Sequence, residues 1–380
     1  MKMLAVGLGQ AGTKIADLFI GWEMKQPVKC FNAIAVNTAK SDLMGLKNIP
    51  MENRVLIGET AVKGHGVGAN NKLGAEIAME EIDVILGAID RMTKSDLDAF
   101  LLIAAGGGGT GSGAIPVVAR HLKELYDEPV YALFILPAEA EGDIYTLNAA
   151  RSLKTLIGEV DGTFLVDNGA FLRYGESVKE AYDRINAEIV RRIGLLARAG
   201  EATSHAKVGE VVVDASEVLN TIGRGGITSV GYAQEAIEKR ARGKHTFLDD
   251  LGKATRVISI VKRAVRGKLT LPCDYTTAER ALVLFAGPPV YMTRKGLDKA
   301  RQWLEGEIAG SEVRAGDYPN PKADFLAAVV ALSGVTESQR LKELFERAAR
   351  AQERIKEVAE EGRRRFEELF EEAEDIEPLF

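Results

Sequence analysis

Short apolar segments alternate with segments of helical periodicity from the first residues to about residue 170. Strands that alternate with helices predict a parallel sheet with helices on both faces. The segment at 99–105 is almost continuously apolar, which is typical of a central strand in such a sheet. The predicted strands are 3–6, 28–36, 55–57, 99–105, 130–136 and 163–166, and the predicted helices are 13–22, 73–86 and 115–125.

A long helical pattern at 176–199 separates this region from a second one with shorter segments. There the predicted strands are 227–232, 281–285, 313–318 and 325–332, and the helical segments are 248–265 and 293–307. Two short segments before them, 211–213 and 216–222, lead into a glycine cluster at 223–226. From residue 337 the pattern is again helical, with charges of both signs and an apolar stripe through 341, 344, 345 and 348.

These patterns predict an α/β fold. A parallel-sheet domain is joined by a long central helix to a smaller α+β domain, and charged C-terminal helices follow. The predicted boundaries are 1–175 for the first domain, 176–204 for the central helix, 205–335 for the second domain, and 336–380 for the C-terminal helices and acidic tail.

Charge and hydropathy exclude some function classes. The chain has 380 residues, with 49 Lys and Arg against 55 Asp and Glu, so its net charge is −6. Mild acidity argues against a nucleic-acid partner. No apolar run approaches the roughly 18–20 residues of a membrane span, so direct membrane insertion is not expected. The first apolar run meets a glycine too early for a signal peptide, and a cytoplasmic location is expected.

Glycine accounts for 39 residues, and the excess is concentrated in loops. The longest cluster, Gly-Gly-Gly-Gly-Thr-Gly-Ser-Gly at 106–113, lies between the apolar strand at 99–105 and a helix. A loop without side chains can wrap closely and direct several N–H groups inward, ahead of a helix N-terminus. These features predict a phosphate-binding loop, in which a side chain at Gly109 would fill the space that phosphates need.

Two further glycine loops follow strands of the same predicted sheet, at 7–12 and 63–70. The first reads G-x-G-x-x-G, the dinucleotide fingerprint, so a nicotinamide-dependent oxidoreductase is one alternative. That fold also needs an acid at the end of the second strand, where this chain has Asn37 and Thr38. No Walker A sequence occurs. Three loops at strand ends of one sheet instead favour a mononucleotide with several phosphates.

The sequence G-G-G-T-G-S-G at 107–113 resembles the signature loop of the tubulin/FtsZ superfamily of GTPases. The resemblance extends over most of the chain. Other segments that resemble nucleotide loops of that superfamily are 9–14, 36–38, 56–59 with 64–70, 137–142 and 167–168, and 213–217 resembles its synergy loop.

Within the superfamily, the residues resemble CetZ, the archaeal tubulin-like group, more than FtsZ. Gln10 is tubulin-like, and the fifth loop reads Glu-Gly-Asp-Ile-Tyr at 141–145, where FtsZ would have a basic run. The synergy loop has Val212 and Glu217 where FtsZ has Asn and Asp. A charged helix follows the body directly, without FtsZ's long linker. An FtsZ-type division-ring protein and a GTP-binding relative that never polymerises are the remaining alternatives.

The resemblance implies a GTPase that binds GTP or GDP with Mg²⁺, polymerises head to tail with itself, and controls cell shape. Lateral contacts between filaments can accompany this assembly. The implied GTP contacts are Gly9, Gln10, Ala11, Gly12, Thr13, Lys14, Asn37, Gly68, Ala69, Asn70, Gly107, Gly108, Gly109, Thr110, Gly111, Ser112, Glu141, Asn168, Tyr182 and Asn186.

Some of these residues carry specific implied roles. Asn168 and Asn186 match the guanine-reading positions, Glu141 would accept from the ribose hydroxyls, and Gln10 would contact Mg²⁺ held by the phosphates. Two roles stay open. Lys14 either contacts phosphate or is a solvated first turn of its helix, and Tyr182 either stacks on the base or packs within its helix.

Asp214 and Glu217 are the implied catalytic pair. They lie three residues apart at the start of a helix, where acids also cap the helix and favour its dipole. By resemblance, they reach the γ-phosphate of a neighbouring subunit and position water for attack. The cap and the catalytic role are compatible, and both are expectations.

Overall fold

The strands of the described chain hydrogen-bond into one mixed sheet of ten strands. The computed structural model describes residues 1–26, 28–93, 96–199, 213–237, 247–371 and 376. The strands are β1 Met3–Leu8, β2 Phe31–Asn37, β3 Arg54–Leu56, β4 Ala99–Ala105, β5 Val130–Leu136, β6 Gly162–Asp167, β7 Ile227–Ala236, β8 Arg280–Gly287, β9 Glu312–Pro319 and β10 Phe325–Ser333. Their order across the sheet is β3-β2-β1-β4-β5-β6-β7-β10-β8-β9.

Helices cover both faces of this sheet. They are α1 Gly9–Glu23, α2 Lys40–Met44, α3 Glu59–Val62, α4 Asn71–Glu80, α5 Ile82–Met92, α6 Thr110–Leu125, α7 Asp143–Leu156, α8 Asn168–Phe171, α9 Val178–Ala197, α10 Ala215–Ile222, α11 Phe247–Arg266, α12 Arg294–Glu307 and α13 Gln339–Glu371. No helix in the described part of the chain has both the length and the apolar character to cross a membrane.

The first six strands are all parallel, as the sequence predicts. The second half differs, because β10 runs antiparallel to both β7 and β8. The two halves share one sheet through β6 and β7, which pair at Thr163 with Ile227 and at Phe164 with Thr228. The sequence patterns do not predict this junction.

Both faces of the central strands are buried. On β4, Leu101 and Ile103 join the core layer that includes residues of α1 and α9. Phe100, Leu102 and Ala104 join the opposite layer, which includes residues of α5 and α6. Burial on both faces explains why this segment is apolar without alternation.

The predicted helix at 73–86 is wrong as a single element. Helix α4 ends at Glu80 and α5 begins at Ile82, since Glu81 has the non-helical dihedrals φ −108° and ψ 25°. The Glu81 carboxylate accepts a hydrogen bond from the Gly58 amide nitrogen at 2.9 Å, which connects the break between the two helices to the loop after β3. The residues outside the described part of the chain include 211 and 212 of the short segment at 211–213, residues 200–204 of the predicted central helix, and the acidic tail beyond 371 except residue 376.

Candidate nucleotide-binding site

The carboxyl ends of the first-half strands open onto one cleft of about 450 Å³. Ligands of open α/β sheets bind at this edge, and the volume is in the usual range for a small-molecule pocket. Most of the predicted GTP contacts line it, namely Gly9, Gln10, Ala11, Lys14, Asn37, Gly68, Ala69, Gly107, Gly108, Gly109, Thr110, Gly111, Glu141, Asn168, Tyr182 and Asn186. The structure therefore brings together residues from well-separated segments of the chain.

Of the four glycines at 106–109, only Gly108 is exposed. A Cβ built on Gly108 has no heavy atom within 4 Å, so a side chain there would enter open space. A Cβ on Gly109 would instead lie 2.4 Å from Val67 Cγ2 and 2.9 Å from the Asn70 amide nitrogen. The expectation that a side chain at 109 fills the phosphate space is therefore wrong, because that position faces the loop before α4.

Two helices, α1 and α6, begin at the cleft without a cap. Neither the Leu8 nor the Gly109 N-cap supplies a side-chain acceptor, and neither helix has an acid in its first turn. By contrast, the Asn70 side chain caps α4 and the Ser177 side chain caps α9. Uncapped helix N-termini carry unpaired N–H donors and a positive end of the helix dipole. The cleft is thus built to receive an anion such as phosphate.

Buried polar contacts fix the loops around these helix starts. The Thr38 and Thr110 hydroxyl oxygens lie 2.7 Å apart. The Asn148 side chain on α7 donates to the Ala69 carbonyl at 2.7 Å and to the Gly107 carbonyl at 3.1 Å. Ala69 has a φ of 62°, which is uncommon for a residue with a side chain. Asn148 thus links the two glycine loops, a role that its place within a helix does not reveal from sequence.

Four predicted GTP contacts do not line the cleft. Gly12 and Thr13 lie behind it, where Thr13 is fully buried and donates its hydroxyl to the Gln10 carbonyl at 3.0 Å. Asn70 caps α4 by accepting from the Leu73 amide at 3.1 Å. Ser112 is buried within α6 and donates to the Gly108 carbonyl. In this structure these residues shape the loops from outside the cleft.

Gly12 allows α1 to approach the central strand. A Cβ at Gly12 would lie 2.0 Å from the Ile103 carbonyl oxygen, so α1 would have to move. We expect Gly12→Ala to lower the free energy of unfolding by about 1–3 kcal/mol in urea titrations. Gly45→Ala is the matched control, since its Cβ would meet no atom closer than 3.5 Å. Equal stability of the two variants would contradict this packing argument.

The far end of the cleft carries hydrogen-bonding groups. The Glu141 Oε1 atom accepts from the Ala138 amide at 2.8 Å and from the Tyr182 hydroxyl at 3.3 Å. Burial, together with the Glu141 charge, raises the pKa of Tyr182, so its hydroxyl stays a donor at neutral pH. Asn168 and Asn186 approach the same space from α8 and α9. A carboxylate and two amides can together recognise a sugar and a base edge.

Asp42 is a cleft residue that the sequence analysis misses. Its carboxylate accepts from the Gln10 amide nitrogen at 3.1 Å and from the Asn37 amide nitrogen at 3.0 Å. Mg²⁺ in nucleotide sites is usually held by one or two carboxylates together with phosphate oxygens. The pair of Gln10 and Asp42 fits that donor set. The signal available in the sequence was the position of Asp42, which lies five residues after Asn37 in the first turn of the short helix α2.

Asp214 and Glu217 lie away from the cleft of their own chain. They form a capping box at the start of α10, in which Asp214 accepts from the Glu217 amide at 2.9 Å. Hydrogen bonds from the Ser216 hydroxyl and the Glu217 amide lower the pKa of Asp214. Glu217 also pairs with Arg314 at 3.1 Å. The cap that the sequence suggests is therefore present, and the catalytic role stays a prediction.

The last turn of α10 lies at the edge of the sheet opposite the cleft. Tyr131, near the start of β5, donates its hydroxyl to the Leu219 carbonyl at 3.2 Å. A Cβ on Gly162, the first residue of β6, would lie 2.2 Å from the Ile222 carbonyl oxygen. The cleft and α10 therefore occupy the two ends of the same parallel strands.

Comparison with known proteins agrees with this arrangement. Residues 2–176 match the model of the Tubulin/FtsZ family GTPase domain, and residues 175–350 match the model of the tubulin-like CetZ C-terminal domain. The tubulin-like protein CetZ1 of Haloferax volcanii is 50% identical in an alignment of 367 positions, which covers 93% of each chain. The chain belongs to the CetZ family. The CetZ match of the second half favours this family over FtsZ, and the oxidoreductase alternative is wrong.

Solved CetZ structures share the fold over most of the chain. A GDP-bound CetZ1 monomer from Haloferax volcanii has a TM-score of 0.84 and 48% identity, covering 93% of this chain and 100% of that one. A GTPγS-bound CetZ2 protofilament from the same organism also has a TM-score of 0.84, with 41% identity and coverage of 94% and 100%. The predicted tubulin/FtsZ-like fold is thus confirmed.

Proposed function

We propose that this chain is a GTPase of the CetZ family that polymerises head to tail into filaments. The observation that carries the proposal is the cleft into which α1 and α6 both begin without a cap or a first-turn acid. The similarity to a GDP-bound monomer and to a GTPγS-bound protofilament supports it.

Binding of the phosphates rests mainly on backbone donors. The N–H groups at the start of α1 and α6 face the cleft, as does the open position Gly108. Among the described residues that line the cleft, Lys14 is the one lysine. Neutral, fixed N–H groups can hold a polyphosphate without the reorganisation that long side chains need. Bound Mg²⁺, held by Gln10 and Asp42, would offset the phosphate charge.

The sugar and base contacts follow from the far end of the cleft. Glu141, with Oε1 already fixed by two donors, would accept ribose hydroxyls through its other oxygen. Asn168 and Asn186 would pair with the guanine edge, because a side-chain amide can both accept from N2–H and donate to O6 or N3. Tyr182 would cover the base while its hydroxyl holds Glu141.

Hydrolysis would need two subunits. Asp214 and Glu217 lie at α10, away from the cleft of their own chain, so in a head-to-tail contact they would approach the nucleotide of the next subunit. There they would position water for attack on the γ-phosphate. Such a heterologous contact generates an open filament.

We further propose a division of the chain into a GTP-binding domain at 1–175, a central segment at 176–204 that contains α9, a second domain at 205–335 and a C-terminal region at 336–380. We also propose a cytoplasmic location and a role in cell shape. The opposing placement of cleft and α10 supports the head-to-tail arrangement.

Negative-stain electron microscopy and sedimentation test the proposed assembly directly. The purified chain should form filaments with Mg²⁺ and the slowly hydrolysed analogue GTPγS, and far fewer with GDP. Protein that binds GTPγS yet stays monomeric at all concentrations would identify a non-polymerising relative and contradict the proposal.

Guanine selectivity is a further expected result. The chain should bind GTP on the order of 10²-fold or more tightly than ATP, because a site built to pair with given polar groups rejects a ligand that lacks them. Asn186→Ala should reduce this ratio, whereas Asn32→Ala, an exposed asparagine at the start of β2, should preserve it. Competition binding measures both, and equal GTP and ATP affinity in the wild type would exclude the base-reading assignment.

A further inference from the structure

Two arginines of the C-terminal helix α13 contact the loop that carries Glu141. The Arg347 guanidinium donates to the carbonyls of Glu139 and Glu141, the latter at 3.0 Å. It also donates through Nε and Nη2 to the Asp143 carboxylate, at 3.0 and 2.9 Å. One planar group thus bonds to three points of the segment 139–143, although it lies about 200 positions away in the chain.

Arg340 makes a second, deeper set of contacts from the same helix. Its Nη2 donates to the Pro137 carbonyl at 2.6 Å, and its Nε donates to the Asp167 carboxylate at 3.1 Å. The Arg340 side chain is 9% exposed and that of Asp167 is 4% exposed. Asp167 is the last residue of β6 and directly precedes Asn168, so this arginine joins the loop after β5 to the end of β6.

The helix that carries both arginines is itself anchored beside the cleft. Ala348 packs with Leu147 and Ala150 of α7, and Leu344 enters the core layer beneath the same helix. Leu344 lies between the two arginines in sequence, and Ala348 directly follows Arg347. These two packed positions of the apolar stripe hold the arginines in register with the loops, whereas Phe345 of the stripe is exposed.

We propose that Arg347 and Arg340 of α13 position the Glu141 loop for the sugar of the bound nucleotide. This inference rests on the proposed function, since it concerns how that site is held. The Glu141 carboxylate already takes donors from Ala138 and Tyr182, and the arginines hold the backbone carbonyls of the loop, including that of Glu141 itself. A loop ordered before binding loses less conformational entropy when the ligand arrives, which favours affinity.

Arg347 is the better target for a test. Replacing Arg340 would leave the buried Asp167 carboxylate unpaired, which destabilises a fold irrespective of any ligand. The Arg347 side chain is 32% exposed, and its removal leaves no buried charge without a partner, because its partner Asp143 is 41% exposed. Arg350→Ala is the matched control, because it removes the same charge from an exposed position of the same helix.

Calorimetric titration with GDP and with 2′,3′-dideoxy-GDP isolates the sugar contact and avoids hydrolysis. Wild-type protein and the Arg350→Ala variant should prefer GDP by roughly tenfold or more, as for hydrogen bonds to a charged group. Arg347→Ala and Glu141→Ala should both reduce that preference to less than about threefold. Arg347→Lys should lie between, since lysine keeps the charge but not the planar fork.

Each other outcome has a definite meaning. An Arg347→Ala variant that keeps the GDP preference, or that weakens both ligands equally, overturns the positioning role. Loss of the GDP preference in Glu141→Ala but not in Arg347→Ala also overturns the positioning role. A wild type without a sugar preference, or a Glu141→Ala variant that retains one, overturns the sugar contact and this inference with it, yet leaves the GTPase proposal standing. Only failure of the wild type to bind GDP counts against the proposed function.

Discussion

Replacing Asp214 by asparagine should slow GTP hydrolysis by roughly 10²–10⁴-fold, because the variant lacks the acid that positions water. GTP affinity should stay unchanged, since the residue lies away from the cleft of its own chain. Asparagine is preferable to alanine here, because it keeps an acceptor for the Glu217 amide and so preserves the cap of α10. Phosphate release and nucleotide binding are measured on the same preparation.

Asp274→Asn provides the matched control for this experiment. Asp274 is also an exposed acid that caps a short helical element, the 3₁₀ turn Tyr275–Thr277, by accepting from the Thr276 amide at 3.0 Å. Mixing the Asp214→Asn variant with a variant that cannot bind nucleotide tests whether the site is shared, because the second variant still carries Asp214. GTPase activity should partly return in the mixture. Weak GTP binding by the Asp214→Asn variant, with no recovery on mixing, would disprove the shared site.

A valine at Gly108 should weaken GTP binding by on the order of 100-fold or more, which corresponds to about 2.7 kcal/mol. A Cβ at position 108 would enter open space beside the cleft, with no heavy atom within 4 Å, so the added side chain would compete with the phosphates for that space. The sheet should therefore stay folded. Titration calorimetry gives the affinity, and circular dichroism with thermal unfolding reports on the fold.

Gly306→Val serves as the control, because a Cβ on Gly306 of α12 would likewise meet no atom within 4 Å, yet this residue is remote from the cleft. It should bind GTP normally. Gly109→Val is a poor substitute, since it would displace Val67 and the Asn70 backbone and so confuse packing with binding. A Gly108→Val protein that keeps GTP through gel filtration would contradict the phosphate-loop assignment.

Much of the first half was predictable because each signal is local. A continuous apolar run indicates a strand buried on both faces, and clustered glycines after it indicate a loop that must approach something closely. Such patterns predict β4 and a helix after the glycine loop correctly, but α6 begins at Thr110 instead of residue 115, so the second half of the predicted loop at 106–113 is the first turn of that helix. They also explain the error at Gly109, because sequence shows that a glycine is required and not which neighbour requires it.

The remaining features depend on contacts between distant segments. Arg347 reaches Asp143 across about 200 positions, and nothing near either residue in sequence indicates the pairing. The junction of β6 with β7 is also non-local, since Thr163 pairs with Ile227. Asp42 was within reach of sequence reasoning, yet a single acid at the start of a short helix also reads as an ordinary first-turn residue.

The placement of cleft and α10 at opposite ends of the strands has a mechanical consequence for a filament. Longitudinal tension would cross each subunit along β4, β5 and β6, so neighbouring strands would be loaded in shear and their hydrogen bonds would share the force. The register of β4 with β5 involves six residue pairs, whereas that of β6 with β7 involves two. Among the pairings that link β4 to β7, the junction between the two halves of each subunit therefore has the fewest residue pairs to share such a load.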